Sequence, residues 1–406
     1  MIEWSEQHQQ IRDMVRRFVD AEIKPNLEAL EHGDTPPYDV LRKLFATFGL
    51  KEMGKMRFAS QIAKDKAGDA AKQDSDGGGF GGGDAMAMQL IPIIELSRYC
   101  PGMVTALGVS VGLTAGAIMK KGTVAQKERW ALDLLTLDKV GAWAITEPGS
   151  GSDAFGGMKA SAKRDGDGYI LNGSKTFITN GPYADTMVFI CKLDEGNDPA
   201  ARKVVSFVLD RGMPGLTQSK PLRKMGMHSS PTGELFLEDV KVGKDRLLGE
   251  TEDSGARSSA KDTFTAERTG VAAMALGIVE QCLKLSTNNA KERVAFGRPI
   301  GEFQLIQLKL AKMEVARMNI QNLVFRVIEL GAAGKQMDIA EASACKLYCA
   351  QTAMEVALEA VQLFGGNGYM AEFQVEQLAR DAKVLQIYGG TDEIQISQIA
   401  RTLLSR

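Results

Sequence analysis

Glycine pairs, hydroxyls and arginines gather at three places in this sequence. The stretch AITEPGSGSD, beginning at Ala144, follows a short apolar run with Gly, Ser and Asp. Such a loop offers backbone N–H groups and hydroxyls to a polar ligand, and it suits a purely structural β loop as well. The stretch KERVAFGRPIGEFQ, residues 291–304, sets Arg293 and Arg298 on either side of a Phe-Gly turn. A guanidinium is a planar fork for phosphate; the same pair also fits a solvated helix–helix turn. Residues 361–395 carry two glycine clusters, GGNG and YGG, among aromatics and apolar runs. Adjacent glycines cost chain entropy and permit close backbone approach, which points to backbone set against a ligand.

Other chemistries are poorly supported. The five cysteines, Cys100, Cys191, Cys282, Cys345 and Cys349, are odd in number and lack C-x-x-C spacing. They read as buried thiols in a reducing cytoplasm, and the Cys345/Cys349 pair as two small core residues. His8, His32 and His228 form no ligand motif, so no catalytic metal is expected. The glycine run ending at Asp84 lacks both the GK[ST] ending of a phosphate loop and a preceding apolar strand, so residues 51–84 read as an atypical surface loop.

The elements that must position these stretches follow from periodicity. After Ser5, a candidate N-cap, apolar residues at Ile11, Met14, Val15, Phe18 and Val19 mark one helix face. Helical, apolar-rich sequence continues to about residue 138. Between 139 and 250 the period shortens: GYILNGSKTFITNG, DTMVFICKL, KVVSFVLDR and GELFLEDVKV predict antiparallel strands in a small β domain or barrel. From 251 to 406 the pattern is helical again, with a stripe at Val271, Met274, Ala275, Ile278, Cys282 and Leu285 predicting long bundled helices. Helices, strands, then helices imply an α+β fold that is mainly α, in three segments: 1–138, 139–250 and 251–406.

A chain of 406 residues is too long for one ordinary core. Its 44% hydrophobic and 25% charged content are those of a globular protein, and a net charge of −2 argues against nucleic acid as partner. No run of 18 apolar residues suggests a membrane span, and the polar N-terminus does not read as a signal peptide.

In order and spacing, AITEPGSGSD, ERVAFGRPIGEFQ, QLFGGNGY, RDAKVLQIYGGTDEI and the closing IAR resemble the acyl-CoA dehydrogenase family. The resemblance covers nearly the whole chain except 51–84, where the family usually has a shorter loop. It implies an N-terminal helical domain, a middle β-barrel and a C-terminal four-helix bundle, assembled as a homotetramer with FAD. It further implies removal of the α-proton of an acyl-CoA thioester as the β-hydride passes to flavin N5, giving a trans-2-enoyl-CoA. Electrons would leave through electron-transfer flavoprotein. By position, Thr146, Ser152, Phe177 and Thr179 would meet the flavin, with Phe177 where many relatives have Trp, and Ser152 near substrate as well. Arg293, Phe296 and Gln304 would reach the diphosphate and adenosine across a subunit interface. Gln362 and Gly366 would come from a second chain, and Thr391 and Glu393 would close over the cofactor.

α-Proton abstraction needs a carboxylate of raised pKa in a dry pocket. Many relatives carry it directly after the tyrosine of the YGG segment, where this chain has Tyr388, Gly389, Gly390 and Thr391. The resemblance to isovaleryl-CoA and long-chain members, whose base lies on an earlier helix, implies Glu267 instead, ahead of Glu393 and Glu147. Arg268 would support the site, Tyr388 would contact substrate, and the Gly389 N–H would bind the thioester oxygen. Pocket walls are expected from about Met103 to Ile118 and from the helix of Glu267. Two other readings compete: an acyl-CoA oxidase that uses oxygen, and a non-catalytic, FAD-holding subunit of a hetero-oligomer.

Overall fold

The computed structural model describes residues 3–32, 35–68, 82–253 and 256–405, with backbone only at 82–84 and 256–266. Ser5 caps the first helix, α1 (Glu6–Phe18), its hydroxyl accepting the His8 N–H at 3.2 Å. α2 (Tyr38–Thr47), α3 (Leu50–Lys66), α4 (Gly82–Ser97) and α5 (Pro101–Lys121) follow, joined by short helical turns such as Leu27–Glu31. The surface-loop expectation for 51–84 is corrected at both ends. Residues 51–66 belong to α3, and 82–84 begin α4. Residues 69–81 lie outside the described residues. α3 is helical because LKEMGKMRFASQIAKDK consists largely of strong helix formers, whatever its low apolar content.

By length and composition α5 could cross a membrane, with a mean hydropathy of 1.7. Its apolar residues have other uses here. Met103, Ala106, Ala115 and Ile118 are buried, and Thr105, Val109 and Leu113 line a cavity described below.

The middle segment forms one sheet from β1 (Gly141–Ala144), β2 (Ser161–Asp165), β3 (Gly168–Thr179), β4 (Thr186–Leu193), β5 (Val204–Asp210), β6 (Leu216–Gln218) and β7 (Thr232–Gly243). Its order is β6-β7-β3-β2-β4-β5, with β1 beside β2 on the same edge of β4. The sheet is mixed, which corrects the antiparallel expectation. β1 runs parallel to β4, with Gly141 opposite Thr186 and Ala144 opposite Phe189, and β2 meets β4 in parallel at two residues. Parallel neighbours need a long crossover, and residues 145–185 supply it. Among the described residues β5 and β6 do not pair with each other, so the sheet is a half-barrel and not a closed one. β4 is buried at every position because its alternate residues serve two cores. Met187, Phe189, Cys191 and Leu193 point into the sheet's own core. Val188 and Ile190 pack with Phe58, Ile62, Ile118 and Trp130.

The last segment contains α6 (Ala256–Glu292), α7 (Gln304–Ala332), α8 (Ile339–Phe364), α9 (Gln374–Val384) and α10 (Asp392–Leu404). The periodic stripe is buried as expected at Val271, Met274, Ala275, Ile278 and Cys282. A two-strand turn separates α6 from α7: β8 (Val294–Ala295) and β9 (Arg298–Pro299) flank Phe296 and Gly297, both at positive φ, +53° and +80°. Two positive-φ residues between paired strands make a type I′ turn. α8 starts with a capping box between Asp338 and Glu341. α6, α7, α8 and α10 form the bundle, and α4 packs into it so closely that a Cβ at Gly277 would lie 2.2 Å from the Ile94 carbonyl oxygen. The first and last helical segments therefore share one core.

Candidate active site

Where α5, the β1–β2 connection, the start of α6 and the segment after α9 meet, a cavity of about 790 Å³ opens. The segment after α9 forms its most unusual wall. Gly389 and Gly390 take φ +63° and +93°, conformations an L side chain rarely adopts. Fully buried Gln395 donates Nε2 to both of their carbonyls, at 3.0 and 2.9 Å. Lys346, also fully buried, donates Nζ to the Gly390 carbonyl at 2.8 Å. With the carbonyls occupied this way, the N–H groups of Gly389, Gly390 and Thr391 have no acceptor among the described residues. Three successive free amides in a cavity wall are what an oxyanion site requires.

Glu267 stands against this turn. A Cβ built on Gly389 would be 3.5 Å from Glu267 Oε1 and 3.5 Å from its Cδ. The Glu267 carboxyl lines the cavity, half-buried, and no described residue donates a hydrogen bond to it. Burial pushes its pKa up to about 7, against the opposing pull of the Arg268 and Lys346 charges. Arg268 is buried, donates to Ser343 Oγ at 3.1 Å and leaves its Nε without a partner; burial lowers its pKa while Glu267 counteracts. Tyr388 donates its hydroxyl to Met274 Sδ at 3.4 Å, and burial raises its pKa.

The opposite wall comes from the sheet. Glu147 accepts the Lys159 and Ala160 N–H groups at 2.7 and 3.0 Å and the Lys175 ammonium at 2.9 Å. That bracing fixes the loop carrying Thr146 and Ser152 on the cavity surface, and the Thr146 carbonyl also accepts the Thr176 N–H at 2.9 Å. Phe177 and Thr179 line the cavity too. The β3–β7 register shifts between Lys175 and Ile178, and there Phe177 sits at φ +55° with 69% of its surface exposed. An aromatic held in a strained conformation and left uncovered is a site feature.

Thus the cavity brings together Thr146, Ser152, Phe177, Thr179, Glu267, Arg268, Tyr388, Gly389 and Thr391. Glu393 is not on its lining and is exposed, although adjacent Thr391 caps α10 by accepting the Ile394 N–H at 3.4 Å. Arg293, Phe296, Gln304, Gln362 and Gly366 are also elsewhere, in a second cluster. Arg293 donates to the Phe364 carbonyl at 2.7 Å and lies beside Gly365, whose N–H bonds the Gln362 carbonyl. Phe296, 95% exposed, meets Phe303 edge-on at 6.0 Å, next to Gln304. Arg293 follows Glu267 by 26 residues on essentially one helix, which is about 39 Å at 1.5 Å per residue. One dinucleotide cannot touch both clusters of a single chain.

Three buried residues of this site escape a reading of motifs: Lys175, Lys346 and Gln395. A signal existed for the first two. Each lysine interrupts an apolar or small-residue run, ASACKLYCA for Lys346 and GSKTFI for Lys175. A charge in such a place is either solvated or committed to a partner.

Family models place these features in context. The N-terminal domain model of acyl-CoA dehydrogenase matches residues 5–59 and 70–138, the middle domain model 142–240, and the C-terminal domain model 254–404. The chain belongs to the acyl-CoA dehydrogenase family, oxidoreductases that use FAD. It is 40% identical to a short-chain specific acyl-CoA dehydrogenase of Megasphaera elsdenii, over 81% of this chain and 84% of that one. It is 34% identical to a mitochondrial isovaleryl-CoA dehydrogenase of Arabidopsis thaliana, over 97% and 90%. The solved structure of butyryl-CoA dehydrogenase from Megasphaera elsdenii superposes with a TM-score of 0.83, at 33% identity, covering 100% of both chains.

The residues present fit FAD. Strained, exposed Phe177 offers a face to a flat ring, and the free amides of residues 389–391 lie on the same cavity. The distant cluster holds a guanidinium and an uncovered aromatic, group types that would suit a diphosphate and an adenine.

Proposed function

We propose that this chain dehydrogenates an acyl-CoA thioester at its α,β-carbons, with Glu267 as the general base. The observation that carries this reading is the pairing of Glu267 with Gly389. Where many relatives keep the base, this chain has a glycine in a left-handed conformation, and a carboxyl with no hydrogen-bond donor stands 3.5 Å from where its side chain would begin. A carboxyl raised to about 7 takes a proton near neutral pH without being fully protonated first. The Gly389 N–H, free of protein acceptors, receives the thioester oxygen as negative charge develops on it. Apolar Val109 and Leu113 keep water from the acyl chain, which sustains the raised pKa of the base.

FAD, when bound, supplies the acceptor for the β-hydride. Thr146, Ser152, Phe177, Thr179, Thr391 and Glu393 would hold it from one chain; Arg293, Phe296, Gln304, Gln362 and Gly366 would hold it from another. The separation of about 39 Å between the two groups supports a shared site and hence an oligomer, in keeping with a homotetramer. So do exposed Leu305, Leu308, Val315 and Met318 along α7. Electron-transfer flavoprotein is the proposed onward acceptor.

Anaerobic titration of the purified, FAD-loaded protein with acyl-CoAs of different length and branching tests the reading. Bleaching of the flavin by at least one is expected, with slow reoxidation in air. No bleaching by any of them defeats the dehydrogenase assignment, and fast reoxidation replaces it with an oxidase.

A further inference from the structure

Lys346 lies in the middle of α8 with no exposed side-chain surface. The residues buried around it on that helix, Ala342, Ser343, Cys345, Cys349 and Ala350, are small and neutral. A buried ammonium is costly unless it is paired and hydrogen-bonded. Among the described residues Lys346 makes one hydrogen bond, to the Gly390 carbonyl at 2.8 Å, and its closest approach to Asp392 is 3.8 Å, beyond hydrogen-bond reach. Burial accordingly brings its pKa down to about 8. Asp392, Glu267 and Glu393 favour its charged form and Arg268 opposes it. Glu267 in turn faces Arg268 on its own helix, Lys346 from α8 and the Tyr388 hydroxyl from the glycine segment.

Two buried donors thus grip the Gly389–Gly390 turn, and they differ in charge. Gln395 holds both carbonyls as a neutral amide; Lys346 holds one as a cation. Geometry leaves little freedom for either. A side chain at Gly390 would place its Cβ 2.6 Å from Gln395 Nε2, so the turn and its clamp are built together.

We infer that Lys346 is a positioning residue for the reaction: with Gln395 it fixes the turn that carries the Gly389 amide, and it sets a buried positive charge behind the turn against which Glu267 stands. The Lys346 side chain has no exposed surface, so the field of its charge is weakly screened. The inference rests on Glu267 being the base, but its coupling to Glu267 can be read without any turnover.

Lys346→Gln keeps an N–H donor for Gly390 and removes the charge. The acid limb of its kcat/KM profile is expected to move to higher pH by about one unit, and 13C-carboxyl NMR of Glu267 should move in the same direction. Gln395→Met should lower kcat with the limb unmoved. If Lys346→Gln does not fold, Glu267→Gln gives the reciprocal measurement. Coupling between two sites is mutual, so the Lys346 13Cε titration must fall to lower pH in that variant. An unmoved Glu267 titration in folded Lys346→Gln, an unmoved Lys346 titration in Glu267→Gln, or a limb displaced equally by Gln395→Met would each overturn the inference. The NMR titrations need no acyl-CoA, so they stand or fall apart from the dehydrogenase reading.

Discussion

Glu147 and Glu267 line the same cavity from opposite walls. Glu147 accepts three hydrogen bonds, one of them from the fully buried ammonium of Lys175. Glu267 accepts none from any described residue, and the cations near it act only through space. The sheet consumes its carboxylate to brace a loop. The helix leaves its carboxylate free, in a half-buried place where ionisation is costly. A cavity that holds two acids can therefore assign one to structure and one to chemistry by the number of donors it supplies to each.

The sharpest way to break that comparison is to neutralise both acids without changing their shape. Glu267→Gln should retain flavin and lose turnover by roughly 10²–10⁴-fold, the usual contribution of a general base. Single-turnover bleaching by a good acyl-CoA measures it, and near-normal rates in that variant would sink Glu267 as the base. Glu147→Gln should do the reverse. It strands the Lys175 ammonium in the core and should cost about 3–5 kcal/mol of stability. Whatever fraction of that variant folds and loads flavin should still turn over. A folded Glu147→Gln protein with full stability but no proton abstraction would exchange the two roles.

The two glycines allow a finer comparison. Gly389→Ala meets Glu267 only at ordinary contact distance, so its cost should be that of a left-handed residue, about 1–2 kcal/mol. Gly390→Ala carries a similar backbone cost and also drives a Cβ into Gln395 Nε2. It should be the more destabilising of the pair in chemical denaturation. It should also be the more damaging to kcat, because it dislodges the clamp. Equal effects at both positions would mean that Gln395 does not hold the turn.

Much of this was legible in the sequence, for reasons that differ from place to place. The stripe from Val271 to Cys282 announced a long buried helix because burial and period coincide there. The strands of the middle segment were visible too, since β-branched and aromatic residues alternate along them. Their directions were not. β1 lies parallel to β4 because the chain between them is long, and strand direction leaves no mark on composition. α3 was hidden by its weak amphipathicity, because a charged helix that buries only Phe58 and Ile62 looks like solvated loop. At the site, the glycine pair pointed away from itself to Glu267, but only through resemblance to relatives. Residue type alone does not single out Glu267, which lies eleven residues inside α6 and not in its first turn. Gln395 was unreadable as a site residue, since its partners are backbone carbonyls and a carbonyl is the same at every position; Lys346 showed only as a charge within a small-residue run, without its partner.

The smallest expected effect follows from the free carboxyl itself. The Glu267 pKa rises from an ordinary 4.5 to about 7 on folding. A raised carboxyl binds its proton more tightly in the folded state. Its contribution to stability is complete below about pH 4.5 and is lost as the pH climbs through about 7. Glu267→Gln carries no such penalty. Without acyl-CoA, its Tm should therefore match the wild type near pH 4.5, draw ahead as the pH rises, and stay ahead by about 4 °C above pH 7. Glu147→Gln should show a deficit across the same range, because the charge it removes was already matched. A Tm difference for Glu267→Gln that stays flat with pH would mean that Glu267 is as well solvated when folded as when unfolded. The contrast between the two carboxylates would then rest on hydrogen bonds alone.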